Sequence, residues 1–415
     1  MTAVQEDQTL TGSPSPRRRS TPWPTVSRST GFAGISAAMV AVLVAAGAPT
    51  PLLPIYQARW GFPAWQLTLA FGIYAFSLLV AMLVIGSLSD HVGRRPLMIA
   101  ALALELVAML TFLFSPSIGW LVVARLVQGV ATGAASSSLS AAVVELAPAH
   151  RKKLGAMMTS LAPLAGLGIG ALFSGLLAQF ASDAAFEVWL VLTVVMALGT
   201  LFTLVTPETA TRKPGALASL RPRLSLPVQV RGLYLAALPG IVSSFLMMTL
   251  FMGLVPVVLV AVFAVHSPFL GALAAFVTFA AATGAAAFTS AVRPHLLRTL
   301  GTSSLTFGAV LFVAAIGAHA LPLLWAAALF SGLGLGASFS GTTRGLVPEV
   351  EPHQRAGLFT AIYVAGYVAM GVSAVVAGLV VGLVGVAMTA IGFGVVMAVT
   401  ALLGVITTAS PGHRR

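Results

Sequence analysis

The sequence has no cysteine and very little charge. Without cysteine, a disulfide framework, a thiolate nucleophile and a cysteine-ligated metal site are all excluded. Charged residues make up 8% of the 415 residues, whereas a soluble globular domain has about 25%. A chain of this length with so few charges cannot cover its surface with polar groups. A soluble enzyme, a disordered protein and a nucleic-acid-binding protein are therefore excluded, despite a net charge of +12.

Long apolar runs dominate the sequence, in which 58% of the residues are hydrophobic. A helix that crosses about 30 Å of hydrocarbon needs about 20 apolar residues. Twelve runs of about this length lie between prolines, glycines and charges, and none alternates with the period of two expected of a β-barrel. They cover approximately 31–53, 66–88, 96–115, 118–144, 154–180, 186–206, 231–262, 269–291, 301–320, 323–346, 356–380 and 384–408.

The two halves of the sequence contain a repeat. Four glycines of the fourth and fifth runs recur in the tenth and eleventh at an offset of 202 or 203 residues. The pairs are Gly129 and Gly332, Gly133 and Gly336, Gly155 and Gly357, and Gly175 and Gly378. Because six spans separate the copies, both have the same orientation, and such a parallel repeat places a ligand site near the bilayer midplane between the halves. We therefore predict an all-α membrane protein of twelve transmembrane helices, with two six-helix bundles around a central cavity.

The polar segments predict the divisions of the chain. They are a disordered cytoplasmic tail at 1–30, an N-terminal bundle at 31–206, a basic, proline-rich cytoplasmic linker at 207–230, a C-terminal bundle at 231–408 and a cytoplasmic tail at 409–415. The arginines at 17–19 could also belong to a cleaved signal peptide, but the apolar run after Gly31 is too long for one.

The basic residues predict an orientation. With the N-terminus in the cytoplasm, 20 of the 22 lysines and arginines lie in cytoplasmic tails or loops, Arg59 lies outside and Arg125 lies within a span. This distribution follows the positive-inside rule and predicts that both termini are cytoplasmic. We expect anionic lipid to be attracted to this basic side of the protein.

Residues 86–97, GSLSDHVGRRPL, lie in the loop after the second span. Gly86 would let two helices approach closely, and Gly93 suits a tight turn with unusual backbone angles. The segment resembles the G-x-L-[SA]-D-x-x-G-R-[RK] signature of the major facilitator superfamily, with Asp90, Arg94 and Arg95 also in place. RLVQG, at Arg125–Gly129, resembles the fourth-span motif of the same family. The resemblance covers all twelve spans and is closest to bacterial twelve-span drug:proton antiporters, which implies a bacterial inner membrane.

The family resemblance implies a gate on the cytoplasmic side. It places Asp90 opposite the start of the eleventh span, near Arg355–Gly357, and Glu145 next to the arginine of the motif. Contacts of this kind would hold the outward-facing state. At the same offset in the second half, Asp90 becomes Arg293 and Arg95 becomes Arg298, so the gate would depend on the first half. The alternative is a short basic loop with a topological role alone.

The fifth span carries GLGIGALFSG, which resembles the antiporter motif G-x-x-x-G-P-x-x-G-G. Gly166, Gly170 and Gly175 match, whereas Ala171 replaces the proline and Ser174 replaces a glycine. The departure weakens the inference of antiport, and a face of small residues for helix packing is the alternative.

Two ionisable residues lie well inside predicted spans, Glu105 and Arg125. A charge near the bilayer centre costs roughly 2.5–3.5 kcal/mol on insertion scales, so each needs a partner or a wet cavity. At 1.5 Å per residue both lie about 14–17 Å from the turn that joins their spans. We hypothesise that they form a pair or share a water pocket, and that protonation of Glu105 releases Arg125. A permanent structural salt bridge is the alternative. Gln128 belongs to the same fourth-span motif as Arg125.

Aromatic, sulfur-containing and hydroxyl side chains within the spans are candidates for the cavity lining. They are Tyr56, Tyr74, Met247, Met248, Ser338, Tyr363 and Tyr367. Tyr363 and Tyr367 are four residues apart and share a helix face. Such a lining suits a lipophilic or neutral substrate, although each residue alone could be a packing residue.

These features predict a secondary transporter that works by alternating access. They favour a proton-coupled exporter of small lipophilic or neutral compounds. An importer or exporter of a sugar or another metabolite is the alternative. An enzyme is not expected, because no catalytic group has a plausible partner, and no G-x-x-x-x-G-K-[ST] phosphate loop occurs. We expect a monomer whose partners are its substrate, protons and lipid, without nucleic acid, cofactor or metal.

Overall fold

The structure is a computed structural model that describes residues 25–220, 226–289, 291–351 and 354–409. Within these ranges the chain is helical and forms no strand. Most of the predicted N-terminal tail (1–24), part of the linker (221–225) and most of the predicted C-terminal tail (410–415) lie outside the described residues.

Twelve long helices are found in the described chain, as the apolar runs predict. The last helical stretch, Arg355–Ala409, contains Gly385 at φ 82° and ψ 171°, and this non-helical residue divides it into α11 (355–384) and α12 (386–409). The other helices are α1 (Arg28–Trp60), α2 (Ala64–Ile85), α3 (Arg94–Leu113), α4 (Ile118–Leu146), α5 (Lys152–Phe180), α6 (Ala184–Leu204), α7 (Arg231–Ala261), α8 (Pro268–Phe288), α9 (Pro294–Gly317) and α10 (Leu321–Leu346).

Two helices extend well beyond their apolar runs. α9 begins at Pro294, seven residues before the run, because proline suits the first turn of a helix and the polar residues that follow still form helical hydrogen bonds. α1 continues to Trp60 past a change of segment at Ala48, where Pro49 starts the second segment. An apolar run indicates which part of a helix lies in the hydrocarbon of the bilayer. The helix itself continues as far as its backbone hydrogen bonds do.

The two bundles pack as the predicted parallel repeat requires. In the N-terminal bundle α4 lies against α2, and in the C-terminal bundle α10 lies against α8. A β-carbon at Gly133 would lie 2.7 Å from the carbonyl oxygen of Leu78, and one at Gly336 would lie 2.8 Å from the carbonyl carbon of Ala282. These glycines are 203 residues apart and perform the same close packing, which confirms the repeat.

The loops after α2, α4, α6, α8 and α10 form one end of the molecule, called here the basic face, and the other end is the opposite face. The bundles meet through α2 with α11 and through α5 with α8. A β-carbon at Gly378 would lie 2.8 Å from Cβ of Thr68, and one at Gly175 would lie 3.2 Å from the carbonyl oxygen of Pro268. These approaches lie in the half toward the opposite face.

Among the described residues, no such approach is found at the basic-face end of α2. Gly86 lies at the basic-face end of α2, and within the described chain a β-carbon there would meet only Met82 of its own helix within 4 Å. The close helix approach predicted at Gly86 is therefore not formed in this conformation.

Candidate functional site

A buried polar network lies inside the N-terminal bundle. Glu105 of α3 and Gln128 of α4 are fully buried, and Arg125 of α4 is 2% exposed. Nε2 of Gln128 donates to Oε1 of Glu105 at 3.2 Å, and Nη1 of Arg125 donates to Oε1 of Gln128 at 2.7 Å. The hypothesis of a direct ion pair between Glu105 and Arg125 therefore needs correction, because the structure places the Gln128 amide between them.

Helical spacing explains why these groups converge. Arg125, Gln128 and Thr132 follow at intervals of three and four residues and so share one face of α4. Oγ1 of Thr132 donates to Oε2 of Glu105 at 3.4 Å, so both carboxylate oxygens have donors. Gln128 also donates to the carbonyl oxygen of Ala45 at 3.0 Å, and Nε of Arg125 donates to that of Ala70 at 3.3 Å. The network thus joins α1, α2, α3 and α4.

The guanidinium of Arg125 also contacts an aromatic ring at the boundary between the bundles. Its Cζ lies 4.2 Å from the ring centroid of Tyr74 on α2, a distance typical of a cation–π interaction. Tyr74 is buried, and Tyr367 of α11 packs against the same cluster from the other bundle. The side chains of Gln128 and Arg125 therefore connect Glu105 to Tyr74 at the bundle boundary.

Aromatic residues continue from this point into the C-terminal bundle. The ring centroids of Tyr363 and Tyr367 are 6.1 Å apart, as their shared helix face predicts. Phe245 of α7 contacts Tyr367 edge to face at 5.1 Å, and Phe339 of α10 lies 6.3 Å from Tyr363. The sequence analysis missed both phenylalanines, because phenylalanine in a membrane helix is equally common against lipid.

The basic-face loop after α2 forms a second polar site. Nη1 of Arg94 lies 2.5 Å from Oδ1 of Asp90, and Nη2 lies 3.1 Å from Oε1 of Glu145. The structure thus places Glu145 next to the motif arginine, and Gly93 has the positive φ, 105°, of a tight turn. Among the described residues, Asp90 has no hydrogen bond or ion pair with α11, so the expected approach to Arg355 is not seen in this conformation.

Glu208, which the sequence analysis missed, holds the start of α3. Its Oε1 accepts from the backbone N–H of Arg94 at 2.9 Å, and its Oε2 accepts from that of Arg95 at 3.2 Å. A carboxylate suits the positive end of a helix. Arg95 also donates from Nη2 to the carbonyl oxygen of Leu204. Because Glu208 is more than a hundred residues from the motif in sequence, no local spacing pointed to it.

The linker is attached to the same loop. The N–H of Lys213 donates to the carbonyl oxygen of Asp90 at 3.2 Å, and Oγ of Ser87 donates to that of Ser219 at 3.0 Å. These two hydrogen bonds attach the segment between the bundles to the motif of the N-terminal bundle.

A family model described as Major Facilitator Superfamily matches residues 35–340. The chain belongs to the major facilitator superfamily. Members of this superfamily are membrane transporters and not enzymes. Among solved structures, the human organic anion transporter MFSD10 (TETRAN) aligns with a TM-score of 0.65 and 17% identity, over 91% of this chain and 99% of that protein, which shows the shared fold.

Curated relatives match over shorter segments. A multi-drug resistance efflux pump PmrA homolog of Lactococcus lactis is 32% identical over 161 residues, which are 37% of this chain and 38% of the pump. A D-xylose transporter of Levilactobacillus brevis is 27% identical over 111 residues, which are 27% of this chain and 24% of that protein. The chain thus spans less than half the length of these relatives, and their substrates differ.

In this superfamily member, three of the predicted lining residues lie away from the aromatic boundary. Oη of Tyr56 accepts from Nε1 of Trp189 at 2.7 Å inside the N-terminal bundle. Met247 is fully buried in the core of the C-terminal bundle. Met248, three residues after Phe245 on α7, packs against the same core as Tyr363 and Tyr367. Ser338 is buried where α10 meets Gly301 of α9. From the predicted set, the structure brings together Tyr74, Tyr363 and Tyr367.

Proposed function

We propose that this transporter exports small lipophilic or neutral compounds in exchange for protons, by alternating access. The observation that carries the proposal is the position of Glu105. Of the ten acidic residues in the sequence, the other nine lie in the N-terminal tail, in loops or near helix ends. If a carboxyl group binds a proton inside the membrane, it is therefore that of Glu105. The side chains of Gln128 and Arg125 connect Glu105 to the bundle boundary.

The network gives protonation a physical consequence. With Glu105 ionised, its charge and that of Arg125 balance inside the N-terminal bundle. With Glu105 protonated, the positive charge of Arg125 has no counter-charge, and burying an unpaired charge is costly. Protonation would thus favour the conformation in which Arg125 and Tyr74 are better solvated. A proton shifts the equilibrium between two conformations only through such a differential effect.

Positive-inside topology supports placing the basic face in the cytoplasm of a bacterial inner membrane. The close approaches of Gly175 and Gly378 between the bundles lie toward the opposite face, and Gly86 makes none at the basic face, so this conformation would open to the cytoplasm. Asp90 is then free of α11, and closure of the basic face would bring it toward Arg355. The motif would thus stabilise the outward-facing state.

The nature of the boundary supports the substrate class. Tyr74, Tyr363, Tyr367, Phe245 and Phe339 offer ring faces with a few hydroxyl groups, a surface suited to lipophilic or neutral molecules. The match to a multidrug pump agrees with this interpretation, although it covers 37% of the chain.

The proposal is tested with the purified protein in liposomes with an imposed pH gradient and a fluorescent lipophilic dye. Wild type should move the dye against its gradient while the pH gradient lasts, and a protonophore should stop the movement. Glu105→Gln, which mimics the protonated acid, should abolish coupling to the pH gradient. The matched control is Glu187→Gln, on α6 outside the network, which should transport normally. Gradient-driven transport by Glu105→Gln equal to that of wild type would exclude the proton role.

A sugar transporter is the second candidate, favoured by the D-xylose transporter match. The same liposomes distinguish the two candidates. Uptake of radiolabelled pentoses and hexoses, with no dye movement in any condition, would exclude drug export and support sugar transport. The role of Glu105 would then be tested with the sugar.

A further inference from the structure

Thr132 contacts the carboxylate oxygen of Glu105 that Gln128 leaves free. Oε1 of Glu105 accepts from Nε2 of Gln128 at 3.2 Å, and Oε2 accepts from Oγ1 of Thr132 at 3.4 Å. Glu105 is fully buried and Thr132 is 1% exposed, so bulk water does not contact the carboxylate in this conformation. A proton that binds to Glu105 or leaves it here must therefore pass through a group of the protein.

The groups around the carboxylate differ in their ability to transfer a proton. The amide of Gln128 meets Oε1 with its NH2 group, which donates hydrogen bonds and does not accept a proton. The guanidinium of Arg125, behind this amide, stays protonated and repels a further proton. A hydroxyl group both donates and accepts, so Thr132 can give its proton to Oε2 and take another. Of the described side chains that bond to this carboxylate, only Thr132 can therefore transfer a proton.

The hydroxyl group of Thr132 is used differently from those of other buried threonines. Thr203, Thr278 and Thr302 each donate to the carbonyl oxygen four residues earlier in their own helix. This is a common arrangement for a threonine within a helix. The hydroxyl group of Thr132 donates instead to Glu105 of the neighbouring helix. It is thus directed at the acid and does not serve the backbone of its own helix.

Tyr74 of α2 lies on the other side of Thr132. The two helices are in close contact here, since a β-carbon at Gly129 of α4 would lie 2.6 Å from the carbonyl oxygen of Tyr74. The hydroxyl group of Tyr74 is close enough to that of Thr132 to interact with it. Tyr74 is 7% exposed and packs against Tyr367 of the other bundle. Two hydroxyl groups therefore connect Glu105 to the bundle boundary.

The charges near Glu105 favour this approach over the one through Gln128. The titratable groups that interact with Glu105 are Arg125 of α4 and Tyr74 of α2. α6 also packs against α3, but within the described chain it adds no charged group that interacts with this acid. A proton that came through Gln128 would have to pass the positive charge of Arg125, whereas the hydroxyl groups of Thr132 and Tyr74 are uncharged.

We propose that Thr132 and Tyr74 form the route by which protons reach and leave Glu105. When Glu105 is loaded, Thr132 gives its hydroxyl proton to Oε2 and accepts the hydroxyl proton of Tyr74, which takes one from a hydronium ion at the bundle boundary. On release each proton moves in the other direction, and both hydroxyl groups are left unchanged. This inference deepens the proposed function and rests on it, because it requires that Glu105 binds and releases a proton.

The test follows the proton that substrate binding displaces. In a proton exchanger the binding of substrate and the binding of a proton are linked, so a lipophilic dye should release a proton from Glu105. The full-length protein in detergent is mixed with the dye by stopped flow in weakly buffered solution. A pH indicator reports proton release, and the fluorescence of the dye reports binding. Wild type should release protons as the dye binds, and Glu105→Gln should release none.

Thr132→Val removes the hydroxyl group and keeps the shape of the side chain. It should release as many protons as wild type but about 100-fold more slowly, the lower end of what a positioned proton-transfer group contributes. Thr132→Ser should restore the rate. Tyr74→Phe, which keeps the ring beside Arg125, should slow release in the same way and keeps the test valid if Thr132→Val does not fold. The matched control is Thr203→Val, a fully buried threonine of α6, which should release protons at the wild-type rate.

The outcomes separate the route from the proposed function. A wild-type rate in Thr132→Val or in Tyr74→Phe, with no release by Glu105→Gln, would overturn the route and leave the proton role of Glu105 in place. Fewer protons released by Thr132→Val at an unchanged rate would show that its hydroxyl group only stabilises the carboxylate, which also overturns the route. Release by Glu105→Gln equal to that of wild type would overturn the proposed function and the route with it.

Discussion

Gln128 donates from its Nε2 atom to Oε1 of Glu105 at 3.2 Å, so the one carboxyl group deep in the membrane is bound to an amide and not directly to a cation. The other end of the same amide accepts from Arg125 at 2.7 Å. An amide has separate donor and acceptor atoms in fixed positions, so it can relay a change at the carboxylate to the guanidinium. Protonation of Glu105 changes what its oxygens accept and donate, and Gln128 is the first group to respond.

Replacing Gln128 with alanine should uncouple the two charged residues. The substitution leaves Oε1 of Glu105 and the carbonyl oxygen of Ala45 without this donor, and an unsatisfied buried group costs about 1–3 kcal/mol. We expect a lower unfolding temperature in detergent and loss of pH-gradient-driven transport. Gln128→Glu, which keeps the shape but places a second acid beside Glu105, should shift the pH dependence of transport. Full coupled transport by Gln128→Ala would show that the amide has no part in coupling.

Glu208→Ala should loosen the start of α3. The carboxylate of Glu208 accepts from the first two N–H groups of that helix, and loss of a helix cap costs about 0.5–2 kcal/mol. We expect a lower unfolding temperature and slower transport, since the capped turn also carries Arg94 of the basic-face motif. Glu208→Gln retains one acceptor oxygen and should lie between the two. Glu349→Ala, in the corresponding region of the C-terminal bundle, is the control and should change the unfolding temperature by less than either.

Crosslinking the bundles at the opposite face should stop transport. Oγ of Ser267 donates to Oε1 of Gln179 at 2.8 Å, which joins the end of α5 to the start of α8. Because the chain has no cysteine, Gln179→Cys and Ser267→Cys introduce the only two thiols. A short thiol-reactive crosslinker should join them, hold the opposite face closed and abolish turnover, and a reductant that cleaves the crosslink should restore it. Either single variant treated alike is the control. Unimpeded transport by the crosslinked protein would contradict the proposed movement.

The fold could be predicted from the sequence to a large extent, because the bilayer imposes a length on each apolar run and glycines at a fixed offset reveal the repeat. The depth of Glu105 and Arg125 could also be predicted, because helical rise converts residue counts into distance. The bridging position of Gln128 could not, since it depends on which face of α4 turns toward α3. Glu208 was missed for a related reason, because contacts between distant segments leave no local pattern.

The tyrosines show most clearly the difference between a residue that packs inside one bundle and a residue at the boundary between the bundles. Tyr56, Tyr363 and Tyr367 are all predicted to line the cavity, and helical spacing predicts only the pairing of the last two. Tyr56 instead stacks on Trp60 at 4.6 Å and accepts from Trp189, inside the N-terminal bundle. No sequence pattern distinguished it from a lining residue.

Tyr56→Phe should therefore change the stability of the protein, whereas Tyr367→Phe should change its substrate preference. Tyr56→Phe removes the hydrogen bond with Trp189, which costs about 0.5–1.5 kcal/mol and should lower the unfolding temperature while leaving the apparent KM for each substrate unchanged. Tyr367→Phe removes a hydroxyl group at the boundary between the bundles and should change the relative KM values across a panel of dyes, with little effect on stability. Transport and unfolding in detergent are measured for both variants, so that each variant is the control for the other. A change of substrate preference in Tyr56→Phe alone would place the binding site inside the N-terminal bundle and away from the aromatic boundary.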